Sequence, residues 1–293
     1  MSTIHDWSIT GSNGELILGN THVPDGDAVG ILLIAHGFKG YKDYGFFPYL
    51  ADAASRCRLI AHRFNFSHSG MTDRIESFER PDLFEADTWG KQIHDMLAVA
   101  AAVKSLPGSA ANRPVIWFGH SRGGVTALLA AGRVFAGTAG DTDVEPPAGV
   151  ITAASPDTPM RLDEAQASLL RRRGWLESPS SRTGQLLRIG RESLLEVEAD
   201  PEAFEPLNAV RQITCAMLLL HGDDDQTVPV SASQRLARQA GNRGQLRTIR
   251  GAGHTFNAPN PLPLDVEPPD ATRQMVEAVC EFAMEMCGIM DNK

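Results

Sequence analysis

Along most of the chain, short apolar runs alternate with stretches whose apolar residues recur every three or four positions. The short runs show little polar alternation, which is typical of strands covered by helices on both faces. They are Gly30–Ala35, Leu59–Asn65, Pro114–Phe118, Ala148–Ala154, Cys215–Leu220 and Gln245–Ile249. The predicted helices between and after them are Phe46–Arg56, a stretch from Asp87 to Pro107, one following Gly124, Ser231–Ala240 and Asp270–Met286. This alternation predicts a mostly parallel, doubly wound α/β sheet, entered by two antiparallel strands near Trp7–Thr10 and Glu15–Leu18.

The alternation breaks between residues 156 and 213, where no run resembles a strand. Helical patterns are found there instead, around Leu162–Arg173, Thr183–Glu198 and Pro201–Val210. We therefore predict a core domain made of residues 1–155 and 214–293, with residues 156–213 inserted as a helical cap.

Composition and charge narrow the class of protein. The chain has 293 residues, 42% of them hydrophobic, so it can bury a full core. Its formal charge of −9 argues against nucleic acid or an anionic membrane as a partner and favours a small neutral or weakly charged substrate. The N-terminus lacks a signal-peptide pattern and no run approaches the roughly 20 apolar residues of a membrane span, so we expect a cytoplasmic protein. The four cysteines and the histidines show no metal-ligand spacing, and we expect neither a metal nor an organic cofactor.

One strand runs directly into a Gly-x-Ser-x-Gly motif. Gly119-His120-Ser121-Arg122-Gly123 follows the apolar run at Pro114–Phe118 and precedes a helical pattern. A strand-to-helix turn this sharp brings the residues two before and two after the serine close together, which requires glycine at both places. The pattern predicts a nucleophile elbow that holds the Ser121 hydroxyl above the sheet.

A serine nucleophile needs a base, and the base needs a carboxylate that orients it. Asp225 follows the strand that ends near Leu220, and His254 follows the strand that ends near Ile249. The chain order Ser121, Asp225, His254 is the order found in elbow hydrolases. Asp223 and Asp224 stand beside Asp225, so the residues alone leave the identity of the acid open.

Three segments carry a resemblance to a known family. These segments are Gly-His-Ser-Arg-Gly-Gly from residue 119, His-Gly-Asp-Asp-Asp-Gln-Thr-Val-Pro from residue 221 and Gly-Ala-Gly-His-Thr-Phe from residue 251. They resemble the three catalytic loops of the α/β-hydrolase superfamily. The likeness extends along the whole chain and is greatest to the capped bacterial esterases and acyl-peptidase-like hydrolases. The family pattern implies that Asp225 is the acid.

The resemblance also implies an oxyanion hole. His36-Gly37-Phe38 resembles the family's oxyanion loop, so the backbone N–H groups of Phe38 and Arg122 are expected to hold the developing negative charge. We therefore expect a serine hydrolase that cleaves a carboxylic ester of a small or medium-sized acyl substrate through an acyl-serine intermediate. The alternatives are a peptidase, amidase or thioesterase with the same triad, and a non-catalytic small-molecule receptor of the same fold.

The predicted cap carries many arginines, among them Arg171, Arg173, Arg182 and Arg191, which would suit an anionic substrate. A similar number of carboxylates accompanies them. We therefore interpret these arginines as a solvated helix surface.

Overall fold

The computed structural model describes residues 2–109, 112–140, 142–160 and 162–289. The strands in these ranges are β1 (Thr3–Thr10), β2 (Leu16–Val23), β3 (Gly30–Ala35), β4 (Leu59–Asn65), β5 (Val115–His120), β6 (Gly149–Ala153), β7 (Trp175–Pro179), β8 (Leu186–Gly190), β9 (Ala216–Gly222) and β10 (Gly244–Ile249). The α-helices are α1 (Phe47–Arg56), α2 (Pro81–Glu85), α3 (Trp89–Ala102), α4 (Arg122–Ala136), α5 (Glu164–Arg173), α6 (Glu192–Ala199), α7 (Pro206–Gln212), α8 (Ser231–Ala240) and α9 (Asp270–Met286). Short 3-10 turns lie at Ser12–Gly14, Glu202–Phe204 and Gly241–Arg243.

Eight strands form the main sheet in the order β1-β2-β4-β3-β5-β6-β9-β10. β1 pairs with β2 and β2 with β4 in antiparallel fashion, and every later pair is parallel. Because β5, β9 and β10 run the same way, the loops that follow them open at the same edge of the sheet. The predicted mostly parallel, doubly wound α/β fold is confirmed.

Apolar side chains alternate between the two faces of the central strands. In β3, Ile31 and Leu33 pack into a cluster with α3 and α4, while Leu32 and Ile34 pack into a second cluster with α1 and α9. All four are at most 2% exposed. Covering both faces removes the polar alternation of a half-exposed strand, which explains why these strands appear as unbroken apolar runs in the sequence.

The segment predicted as a helical cap contains a β-hairpin. β7 and β8 pair antiparallel with Trp175 opposite Gly190, so the predicted helix over Thr183–Glu198 is wrong in its first half, and α6 begins only at Glu192. The side chains of β8 alternate as in a strand, with Leu186 61% exposed and Leu187 1% exposed. A five-residue run with two adjacent leucines fits a helix and a strand equally well at the sequence level. Gly184, whose φ is 71°, supplies the left-handed residue that closes the turn.

The last helix of the predicted cap lies in the helical layer of the core. α7 packs on α4 so closely that a Cβ on Gly132 would come within 2.9 Å of the Cα of Ala209. Val210 is fully buried in the same cluster as the α4 residues. The rest of the 156–213 segment holds α5, the hairpin and α6, and α6 also contacts α3, because Glu196 accepts from the Gly90 N–H.

Candidate active site

Ser121 occupies the turn between β5 and α4 with φ 53° and ψ −121°. A non-glycine residue at positive φ is strained, and such strain is held only where the surrounding structure enforces it. The surroundings are tight: a Cβ on Gly119 would lie 2.6 Å from the N of Gly124, and a Cβ on Gly123 would lie 2.6 Å from the carbonyl oxygen of Ala35. The strand-turn-helix geometry and the glycine requirement expected of the elbow are both present.

The three residues predicted as a triad are linked by two hydrogen bonds. Nδ1 of His254 lies 2.8 Å from Oδ2 of Asp225, and Nε2 of His254 lies 3.0 Å from Oγ of Ser121. Because an ionised carboxylate only accepts hydrogen bonds, the imidazole proton belongs on Nδ1. Nε2 then accepts from the serine hydroxyl, which is the arrangement a general base requires.

Asp225 is held as an anion by its surroundings. Its Oδ1 accepts from the backbone N–H groups of Thr227 and Val228 at 2.8 and 2.9 Å. Burial raises the pKa of this carboxyl, but hydrogen bonds with His221, His254 and the Val228 N–H outweigh burial, and the pKa lies well below its usual range. Asp225 therefore keeps its negative charge at neutral pH.

The neighbouring aspartates have other partners. Oδ1 of Asp223 accepts from the N–H of Gly251 at 2.6 Å, and Oδ1 of Asp224 accepts from the Gln226 amide at 3.0 Å. Of the three consecutive carboxylates, only Asp225 hydrogen-bonds His254.

Two further histidines form hydrogen bonds with backbone groups around the site. His120 donates from Nε2 to the backbone oxygen of His254 at 2.9 Å, and burial lowers its pKa to about 3. His36 accepts from the N–H of Phe66 through Nε2 at 3.2 Å and donates from Nδ1 to the Gly37 oxygen at 2.8 Å, and burial lowers its pKa to about 4. Both are neutral and hydrogen-bonded within the protein, which indicates structural roles.

The loop after β3 passes directly beside the nucleophile. A Cβ on Gly37 would lie 3.1 Å from the Cβ of Ser121, and Phe38 is the next residue. Arg122 opens α4, where backbone N–H groups have no partner within the helix. In the described parts of the chain, neither the Phe38 N–H nor the Arg122 N–H donates to a protein acceptor. Both groups are therefore free to donate to an oxygen next to Ser121.

The Arg122 side chain forms a buried pair that sequence reasoning missed. Its Nη2 lies 3.1 Å from Oδ2 of Asp87, its guanidinium lies 4.3 Å from the centre of the Trp89 ring, and both charged side chains are at most 13% exposed. Burial raises the pKa of Asp87 to about 6, although Arg122 lowers it. The two residues are 35 positions apart and share no motif, so no sequence signal could have paired them.

A cavity of about 160 Å³ opens above Ser121. Its floor includes Ser121, His120 and His254, and its roof is the turn between β7 and β8, residues 179–182. The remaining lining residues are Gly37, Phe38, Lys39, Gly40, Tyr44, Phe47 and Thr255. The hairpin therefore covers the nucleophile, and sequence reasoning missed Lys39 and Arg182 as lining residues.

Two negative findings concern the described residues alone. Within them, no group of three or more histidine, cysteine, aspartate or glutamate side chains has the geometry to hold a metal ion. No helix in the same ranges has the length and apolar character needed to cross a membrane.

Comparison with known proteins agrees with the fold. A sequence model of the alpha/beta hydrolase family matches residues 31–270, so the chain belongs to that family. A comparison with curated protein sequences finds no match.

Several solved structures share the fold over nearly their full length. Est1E from Butyrivibrio proteoclasticus, solved with ferulic acid bound, is 19% identical with a TM-score of 0.72, covering 96% of this chain and 99% of its own. The esterase domain of a Rhodothermus marinus protein is 19% identical with a TM-score of 0.63, covering 97% of this chain and 98% of its own. A dienelactone hydrolase from Anabaena variabilis is 18% identical with a TM-score of 0.59, covering 96% and 98%. At these identities the likeness establishes the fold.

Proposed function

We propose that this protein is a serine hydrolase that cleaves a carboxylic ester of a small acyl substrate. The observation that carries the proposal is the continuous hydrogen-bond chain from Ser121 through His254 to Asp225, at the strained turn where an elbow nucleophile is presented. The Rhodothermus neighbour is described as an esterase domain and Est1E as having ferulic acid bound, which supports an ester of a carboxylic acid as the substrate class.

The chemistry follows from the geometry. His254 takes the proton from the Ser121 hydroxyl as its oxygen attacks the ester carbonyl, and Asp225 stabilises the imidazolium that forms. The backbone N–H groups of Phe38 and Arg122 donate to the oxyanion of the tetrahedral intermediate. His254 then gives its proton to the departing alcohol, which leaves an acyl-Ser121. Water, activated by the same histidine, releases the acid and restores the serine.

The test combines labelling with turnover. A fluorophosphonate should modify wild type at Ser121, and Ser121→Ala should lose both labelling and ester hydrolysis, by at least about 10⁴-fold in kcat. Ser69→Ala is the matched control, because Ser69 also precedes a glycine and is buried but lies outside any strand-helix turn. Ser69→Ala should keep both fluorophosphonate labelling and ester hydrolysis.

The substrate panel separates the rival functions. p-Nitrophenyl esters, thioesters and aminoacyl anilides are compared in wild type and Ser121→Ala. Preference for anilides or thioesters would identify the peptidase, amidase or thioesterase alternatives. A protein that binds these compounds without labelling or turnover would be a receptor, and the proposal would be wrong.

A further inference from the structure

The residues that line the cavity above Ser121 are unbalanced in charge. Lys39 and Arg182 both line it, and among the described lining residues there is no aspartate or glutamate. The whole chain carries a formal charge of −9. A local excess of cations in an acidic protein is an electrostatic feature that needs an explanation.

Lys39 faces the cavity with donors to spare. Its Nζ donates to the carbonyl oxygen of Pro179 at 2.7 Å, which uses one of three N–H groups, and lies 5.4 Å from the centre of the Phe38 ring. Among the described residues, no carboxylate lies within ion-pair distance of it. Burial lowers the pKa of Lys39, and no neighbouring anion offsets the effect.

Arg182 is held at the cavity wall by contacts that leave its charge uncompensated. Its guanidinium donates to the carbonyl of Ile75 and lies 4.7 Å from the centre of the Tyr41 ring and 5.2 Å from that of Phe78. No carboxylate in the described ranges lies within ion-pair distance of Arg182. None of these contacts supplies a negative charge to the cavity.

Three other cap arginines are each paired with a carboxylate. Arg171 pairs with Glu164 and Glu198, Arg173 with Glu177, and Arg191 with Glu192. These are the solvated surface pairs that the balanced charge of the segment predicts. Arg182 departs from that expectation, because the hairpin turn carries it to the cavity wall instead.

We propose that the substrate is an ester that carries a carboxylate a few carbons from the scissile bond, and that Lys39 and Arg182 bind this carboxylate. The inference rests on the proposed hydrolase function. Lys39 directly follows Phe38, whose N–H is proposed to hold the oxyanion. A carboxylate bound at Lys39 would therefore lie close to the reacting carbonyl, and one short substrate molecule could carry both groups. A cavity of about 160 Å³ accommodates a short chain of this kind.

The decisive experiment compares two esters that differ only in the terminal group. Monoethyl glutarate and ethyl pentanoate have the same five-carbon acyl chain, and release of acid from each is followed by pH-stat. Wild type should show a kcat/KM at least tenfold higher for monoethyl glutarate. Lys39→Gln should reduce this ratio towards one, Arg182→Gln should reduce it less completely, and Lys39→Arg should retain it, because arginine keeps the charge. The ratio should also fall as ionic strength rises.

Arg172→Gln is the matched control, since Arg172 is an exposed arginine of α5 that does not line the cavity. It should leave the ratio unchanged. Equal rates for the two esters in wild type, or a ratio that Lys39→Gln does not move, would overturn the inference. If ethyl pentanoate is still hydrolysed and Ser121→Ala abolishes that hydrolysis, the proposed function stands without it.

A binding measurement covers the case of no turnover. In Ser121→Ala, where the ester is not consumed, calorimetry should find monoethyl glutarate bound at least tenfold more tightly than ethyl pentanoate. Lys39→Gln in the same background should remove the difference. Equal binding of the two esters would reject the carboxylate site, whatever the catalytic result.

Discussion

The floor and the roof of the cavity are built in different ways. The floor consists of loops at the carboxyl ends of parallel strands, where Ser121, Asp225 and His254 are held by the backbone of the main sheet. The roof is a two-stranded hairpin outside that sheet, stabilised by its own apolar cluster of Tyr41, Met71, Phe78, Phe84 and Leu187. The groups proposed to react thus depend on the large core, whereas the roof of the cavity depends on the small apolar cluster around the hairpin. A fold of this kind can alter its roof without disturbing its chemistry.

The largest expected effect belongs to the floor and involves Asp225. Asp225→Asn should keep the fold but favour the wrong imidazole tautomer and leave the imidazolium unsupported. We expect kcat to fall on the order of 10⁴-fold, the size seen for the equivalent change in a well-studied protease triad. The measurement is ester hydrolysis, with circular dichroism as the check on folding.

Asp223→Asn is the control, because Asp223 bonds the Gly251 N–H and not His254. It should change kcat little. A large loss in Asp223→Asn with a small one in Asp225→Asn would contradict the assignment of the acid.

A second prediction concerns the buried pair that Asp87 forms with Arg122, the residue that follows Ser121. The folded-state pKa of Asp87 is raised to about 6 from an ordinary value of 3.8, mainly by burial. Between these values the folded state binds a proton that the unfolded state has released, so stability falls as pH rises from about 4 to 6. The difference of about two pH units corresponds to about 3 kcal/mol.

Denaturant unfolding at several pH values should therefore show the free energy of unfolding of Asp87→Asn rising relative to that of wild type between about pH 4 and 6. Asp73→Asn, a change at an exposed aspartate, should keep the wild-type pH dependence. If the free energies of unfolding of wild type and Asp87→Asn run parallel over this range, the carboxyl does not titrate there.

The third prediction tests how tightly the floor is packed. Gly123→Ala would place a Cβ 2.6 Å from the Ala35 oxygen at the end of β3. Such overpacking costs about 1–3 kcal/mol and should displace the loop that carries Phe38. The melting temperature and kcat of Gly123→Ala should therefore both fall below those of wild type.

Gly253→Ala provides the comparison, because a Cβ there would have only an ordinary contact, 3.5 Å from the Asn257 side chain. Its melting temperature should stay close to that of wild type. Equal losses in the two variants would show that the close approach at Gly123 is not the cause.

The features that the sequence predicts are those that local backbone geometry determines. Gly119, Ser121 and Gly123 define one turn, so a five-residue motif is enough to predict it. The buried strands were predictable because each is a run of apolar residues covered on both faces. Choosing among Asp223, Asp224 and Asp225 required a family pattern, since loop residues one position apart differ only in the direction of their side chains.

The features that escaped prediction depend on contacts distant in sequence. Lys39 hydrogen-bonds the carbonyl of Pro179, which is 140 residues away in the sequence. Asp87 pairs with Arg122, whose guanidinium packs on the Trp89 ring. In β8, the alternation that marks a strand covers only five residues and includes two adjacent leucines, so the sequence fits a helix as well as a strand. Nothing local in that segment shows that its turn lies over Ser121.

The smallest expected effect lies in the roof and separates it most clearly from the floor. Gln185 fastens the hairpin by accepting from the Phe78 N–H at 2.7 Å and donating to the Phe78 oxygen at 3.0 Å, as a neighbouring strand would. Gln185→Ala should loosen the roof by about 1–2 kcal/mol, the net contribution of two hydrogen bonds. Because the triad is held by the main sheet, we expect KM to rise a few-fold with little change in kcat, and amide exchange to quicken in residues 175–190 alone. Gln226→Ala, which removes an exposed amide from the floor, should leave both readouts unchanged. A fall in kcat equal to the rise in KM in Gln185→Ala would mean that floor and roof are not independent.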